Sequence, residues 1–172
     1  ADLTRPVAPH RPKLKIGLIE PYPTFRVDQL ARFFRMVEAQ GGHLDFLHLD
    51  VDMSVVRALQ ARDAIDLAGD LRTLDAFARA RGIPFGYIVW GNAGESDRAY
   101  YEAAMTDGVL TLRDVFRDWT RMPEHVIFQS WTRDPAGRAL VPPNLPQSTP
   151  YTHTYLIDRG LRCLRALGPC GL

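Results

Sequence analysis

Residues 44–52 read LDFLHLDVD, and the fold turns on their parity. Leu47, Leu49 and Val51 are aliphatic, while Phe46, His48, Asp50 and Asp52 occupy the alternate positions. Successive side chains of a strand point to opposite faces. The segment therefore predicts a strand with one oily face for helix packing and another face that ends in two carboxylates. Asp forms strands poorly and is costly to bury. Two of them where a strand runs out point to the C-terminal edge of a parallel sheet, where α/β proteins bind ligands and carry out chemistry.

Similar strand-then-helix units lie on either side. Lys15–Glu20 (KIGLIE) is expected as the first strand, stopped by Pro21 and Pro23. A helix from Val27 to Gln40 follows, with Leu30, Phe33, Phe34 and Val37 at helical spacing and Gly41 and Gly42 at its end. After the quoted strand, Ser54 is expected to cap a helical stretch from Val55. A second piece from Leu67 to Ala80 aligns Leu67, Leu71, Leu74, Phe77 and Ala78. Phe85–Trp90 (FGYIVW) predicts the third strand, followed by the loop GNAGESD and a helix from Asp97 to Trp119 broken near Gly108. His125–Trp131 (HVIFQSW) predicts the fourth. A Pro-rich loop, Thr132 to Tyr151, then leads to a helix from Thr152 to Leu167.

This alternation implies an α/β fold of parallel strands joined by right-handed crossovers. Two architectures fit: four consecutive βα units forming half or a fragment of a (β/α)8 barrel, or an open doubly wound sheet. The long loops after the strands favour the half-barrel, because barrel enzymes elaborate that edge. Residues 1–13, with prolines at 6, 9 and 12, read as a leader or linker, and residues 14–172 as the (βα)4 domain. Four strands leave two open edges, which natural sheets avoid. A missing barrel half or a homodimer is therefore expected as partner.

The chain has 172 residues, 21 basic and 20 acidic, for a net charge of +1, with the two signs interspersed. That balance argues against a nucleic-acid or membrane-surface specialist, and no apolar run is long enough to span a bilayer. Cys163 and Cys170 either close a small loop or remain thiols, and they lack zinc-site spacing. The chain has no G-x-G-x-x-G, P-loop or G-x-S-x-G pattern and no catalytic-Cys signature. No cofactor is expected.

The strand ends collect Glu20 from the first strand, Asp50 and Asp52 from the second, Trp90 and Asn92 from the third, and Gln129 and Trp131 from the fourth. Glycoside hydrolysis needs two carboxyl groups about 5–9.5 Å apart, and neighbouring strands lie about 4.8 Å apart. Glu20 with Asp50 or Asp52 meets that condition, so these three are the candidate catalytic residues. Trp90 and Trp131 are candidate stacking platforms for sugar rings, Asn92 and Gln129 candidate partners for hydroxyls, and His48, on the same face as Asp50, a further candidate substrate-binding residue. One of Asp50 and Asp52 is expected to cap the following turn. His48, Asp50 and Asp52 also form an H-x-D-x-D spacing that a metal-assisted lyase or aldolase would use.

The runs KIGLIEPYP, HLDVD, IPFGYIVWG with SDRAYYEAA, HVIFQSW and PNLPQSTPYTHTYLI together resemble the C-terminal half of bacterial TIM-barrel glycoside-hydrolase-like proteins, often found beside extracellular polysaccharide genes. The resemblance covers about Leu14 to Leu164, and HLDVD and FQSW…NLP…THT are its most specific parts. It implies a (β/α)8 catalytic-type domain acting on a polysaccharide, in a secreted or periplasmic setting. Glu20, Asp50 and Asp52 would stand at the site, and Gln129 and Trp131 would line it. Many retaining barrel hydrolases end a late strand in a nucleophilic Glu. Gln129, an amide, cannot fill that role, which keeps a non-catalytic carbohydrate-binding module as the alternative.

Overall fold

The computed structural model describes residues 14–117, 121–142 and 146–166. The expected leader, the helix end at Trp119, part of the Pro-rich loop, Leu167 and Cys170 lie outside the described residues. Strands β1 (Leu18–Tyr22), β2 (Leu47–Val51), β3 (Phe85–Val89) and β4 (His125–Phe128) pair in parallel in the order β1-β2-β3-β4. Helix α1 (Val27–Ala39) joins the first two strands, and α2 (Met53–Gln60) and α3 (Leu67–Arg79) join the second and third. Between β3 and β4 run α4 (Asp97–Ala103), a π-helical segment (Ala104–Leu110) and α5 (Thr111–Arg117), and α6 (His153–Arg165) follows β4.

Each strand is the neighbour of the next, with no reversal of order. A doubly wound sheet needs that reversal, so this alternative is corrected: right-handed crossovers along an unreversed order place the helices on one face. Burial agrees. Leu47, Leu49 and Val51 of β2 and Phe85, Tyr87 and Val89 of β3 are all buried in one core with Leu71, Leu74, Val109 and Leu156 from the helices. The registers Ile19↔His48↔Gly86↔His125 and Pro21↔Asp50↔Ile88↔Ile127 define the opposite face.

Three local expectations change. The first strand does not stop at Pro21 but runs to Tyr22. The Leu18 N–H donates to the Phe46 carbonyl at 3.0 Å, and the Tyr22 carbonyl accepts from the Asp52 N–H at 2.9 Å. Residues of that parity face β2, so Pro21 faces the free edge, where its missing N–H breaks no ladder bond. Helix α2 is capped not by Ser54 but by Asp52, whose side chain accepts from the Ser54 and Val55 N–H groups. The predicted break near Gly108 is a widened turn instead: the π-helical segment continues α4 into α5. A Cβ on Gly108 would sit 2.7 Å from Val89 Cγ1, so glycine lets this segment press against β3.

Candidate functional site

The polar residues named from the sequence fall at three different places. Glu20 pairs in register with Leu49, while Asp50 pairs with Pro21. Paired residues of a sheet share a face, so Glu20 stands on the helix-covered face and Asp50 on the open one. The expected Glu20–Asp50 pairing across adjacent strand ends is corrected on this ground. Glu20 instead lines a groove of about 430 Å³ between β1 and α1, among Leu18, Phe25, Leu30, Phe33 and Met36. Burial there raises its carboxyl above the ordinary value.

Asp50, Trp90 and Gln129 come together. Gly86 pairs with His125, so the same register carried forward sets Trp90 beside Gln129 on the open face. Asp50 opposes Ile88, one same-face step before Trp90. Four polar atoms here are sealed from solvent with no hydrogen-bond partner among the described residues: Asp50 Oδ1, Trp90 Nε1, Asn92 Oδ1 and Gln129 Nε2. Buried polar atoms are nearly always paired; the Trp90 indole and the Asp50 carboxyl lie close enough to serve each other, which leaves Asn92 Oδ1 and Gln129 Nε2 as the unserved atoms of this edge. One is an acceptor and the other a donor.

Asp50 and Asp52 differ sharply although they are two residues apart. Burial pushes the Asp50 carboxyl up, and the Asp52 charge adds to the shift. The Trp90 indole beside the carboxyl favours the charged form, and burial outweighs it. Asp52 is partly desolvated too, but its Oδ1 accepts from Ser54 N (3.0 Å), Ser54 Oγ (2.6 Å), Val55 N (3.2 Å) and Asn92 Nδ2 (2.9 Å). These bonds hold its carboxyl below the ordinary value. One carboxyl is thus biased to carry a proton and its neighbour to stay ionised, the division of labour that acid–base chemistry requires.

The loops beyond the strands hold this edge in place. A Cβ on Gly91 would lie 2.3 Å from the Tyr100 carbonyl oxygen, so only glycine lets the chain turn between Trp90 and Asn92. The Tyr100 hydroxyl donates to the Gln129 carbonyl, and Thr132 Oγ1 donates to the Gly91 carbonyl at 3.1 Å. Trp131 shares parity with Gln129 and is 56% exposed, so it packs in no core.

His48 lies on the open face as expected, but its partner was not anticipated. Its Nε2 is 2.9 Å from His125 Nδ1, two strands away. The signal was present in the sequence: Gly86 interrupts the apolar strand FGYIVW, and a glycine inside a strand marks a close approach. Among the described residues, no group of three or more His, Cys, Asp and Glu is arranged to hold a metal ion, so His48, Asp50 and Asp52 do not form the triad that the alternative metal reading needs. Cys163 is buried in α6 and is no free thiol; its pairing with Cys170 lies outside the described residues. No described helix is long and apolar enough to cross a membrane. Compared with protein-family models, with curated proteins and with solved structures, the chain matches none.

Proposed function

We propose that this chain is a glycoside-hydrolase-like unit that acts on a polysaccharide at the C-terminal edge of its sheet. The observation that carries the reading is the gathering of buried polar side chains of Asp50, Trp90, Asn92 and Gln129 on that edge, with Asn92 Oδ1 and Gln129 Nε2 left without a partner among the described residues. A sugar offers hydroxyl donors and acceptors, which suit an amide acceptor and an amide donor, and Trp131 offers an exposed aromatic face against which a ring can stack. In this reading Asp50 is the general acid that protonates the leaving oxygen, and Asp52 is the ionised partner.

The test is hydrolysis of a panel of glycans by the wild type and by Asp50→Asn, Asp52→Asn and Glu20→Gln. The first two are expected to lose at least 100-fold in kcat/KM, on the order of what a positioned acid or base contributes. Glu20→Gln, altered on the other face of the sheet, is expected to keep its activity. A wild type that turns over no glycan, or full activity in the Asp50 and Asp52 variants, sinks the catalytic assignment.

One observation favours a second reading, a carbohydrate-binding module without turnover: Asp52 already spends one oxygen on four hydrogen bonds, three of them to its own helix start. Saturable glycan binding that weakens on Trp131→Ala, with no hydrolysis, selects it. In either case the four-stranded unit is taken as half of a (β/α)8 barrel, completed by a second copy or a further half.

A further inference from the structure

We propose that His48 and His125 chelate a borderline transition-metal ion of the Zn²⁺, Ni²⁺ and Cu²⁺ class on the open face of the sheet, apart from the carboxylate edge. The site is built by the register. His48, Gly86 and His125 are aligned across β2, β3 and β4, and all three face the same way. Gly86 makes the contact possible: a Cβ there would lie 2.4 Å from His48 Cδ2 and 3.0 Å from His125 Cβ. With no side chain between them, the two imidazoles meet over the middle strand at 2.9 Å, Nε2 to Nδ1, their rings inclined at 81°. Phe46 stacks on His48 with centroids 4.3 Å apart and so restricts its ring.

The contact sets a ring N–H of one imidazole against the bare nitrogen of the other; when that N–H proton moves through solvent to the other nitrogen of its own ring, both facing nitrogens carry lone pairs and a metal ion can bind between them. Two nitrogens bound at about 2.0–2.1 Å stand about 2.9 Å apart at the right angles of tetragonal Ni²⁺ or Cu²⁺ and about 3.3 Å apart at the tetrahedral angle of Zn²⁺, so rotation of the rings and a few tenths of an ångström of separation bring both lone pairs onto one ion. Burial and the neighbouring His125 lower the pKa of His48 and favour the neutral form that ligates metals. Imidazole selects Zn²⁺, Ni²⁺ and Cu²⁺ over hard cations, which require oxygen. No third His, Cys, Asp or Glu of the described residues completes the shell. Water or an incoming ligand fills the remaining positions, and the site stays open.

The whole chain is melted at pH 7.5 with and without Ni²⁺ or Zn²⁺, with Mg²⁺ as control. An ion held only by the folded sheet raises Tm as its concentration passes Kd. The expected result is a rise with Ni²⁺ and Zn²⁺ and none with Mg²⁺. The rise is expected to vanish in His48→Asn and in His125→Asn and to persist in His10→Asn and His43→Asn. Electron paramagnetic resonance of the wild type with one equivalent of Cu²⁺ reads the ligands without any substitution, and hyperfine coupling to two imidazole nitrogens is expected. No rise in the wild type, a rise that survives both histidine substitutions, or a copper signal with fewer than two nitrogens overturns the site.

Discussion

Asp50 and Asp52 pull the pH dependence of stability in opposite directions. The folded-state pKa of Asp52 is depressed, so its contribution is present above the ordinary value of 3.8 and is lost as pH falls through the lower folded value. The folded-state pKa of Asp50 is raised, so its contribution is present below 3.8 and is lost as pH rises through the higher folded value. At neutral pH, Asp50→Asn is therefore expected to raise Tm, measured by calorimetry. A lower Tm would show that the Asp50 charge is stabilised in the fold. Asp52 separates its two roles by substitution. Asparagine also caps helices, so Asp52→Asn is expected to leave denaturant stability nearly unchanged. Asp52→Ala loses the cap and leaves Asn92 Nδ2 without its acceptor, at a cost of about 1–2 kcal/mol. Equal losses in both variants would mean that the charge, and not the cap geometry, holds α2.

The histidine contact across β2, β3 and β4 makes the sheet itself sensitive to acid. The folded-state pKa of His48 lies below the ordinary value of 6.5, so its contribution is intact above 6.5 and declines as pH falls through the window beneath it. Urea midpoints are expected to drop between pH 7 and pH 5, and by less in His48→Asn, which has no such proton to take up. Gly86→Ala is expected to cost about 1–3 kcal/mol, as overpacking does, because the new methyl group displaces an imidazole. An unchanged urea midpoint in that variant would show that the imidazoles do not meet over β3. These strands also show where sequence reading reached its end. The parity of LDFLHLDVD was legible because alternation within one strand is a local property, and it separated Leu47, Leu49 and Val51 from His48 and Asp50 correctly. The partner of Glu20 was not legible. Register between strands is set by pairing, and a shift of one residue moves a side chain to the other face; Glu20 opposes Leu49, so it left the site. Asp52 as a cap could be expected of one aspartate of the pair, but which one was decided by where β2 stops.

A four-stranded parallel sheet with strand β1 at one end and β4 at the other leaves both edges unpaired among the described residues. Beside the β1 edge the surface is apolar. Phe25 (41%), Phe33 (45%) and Met36 (57%) are exposed around the groove that holds Glu20. A contiguous apolar patch marks a surface meant to be covered; the other edge is flanked by α6, where Leu156 and Cys163 are buried, and shows the exposed Trp131 beyond the end of β4. The missing N–H of Pro21 limits how well another strand pairs with β1, so apolar packing on α1, more than ladder hydrogen bonds, has to drive association. Two copies supply eight strands, the number that closes a (β/α)8 barrel. The chain is expected to elute by size exclusion with light scattering at twice its 19.4 kDa mass at micromolar concentration. Phe33→Glu with Met36→Lys places unlike charges at two exposed positions that carry no core packing, so it is expected to return the chain to a monomer with an unchanged circular dichroism spectrum. A wild type that stays monomeric up to hundreds of micromolar would remove the second copy as the cover of this face. A doubly substituted chain that still elutes as a dimer would move the contact away from α1.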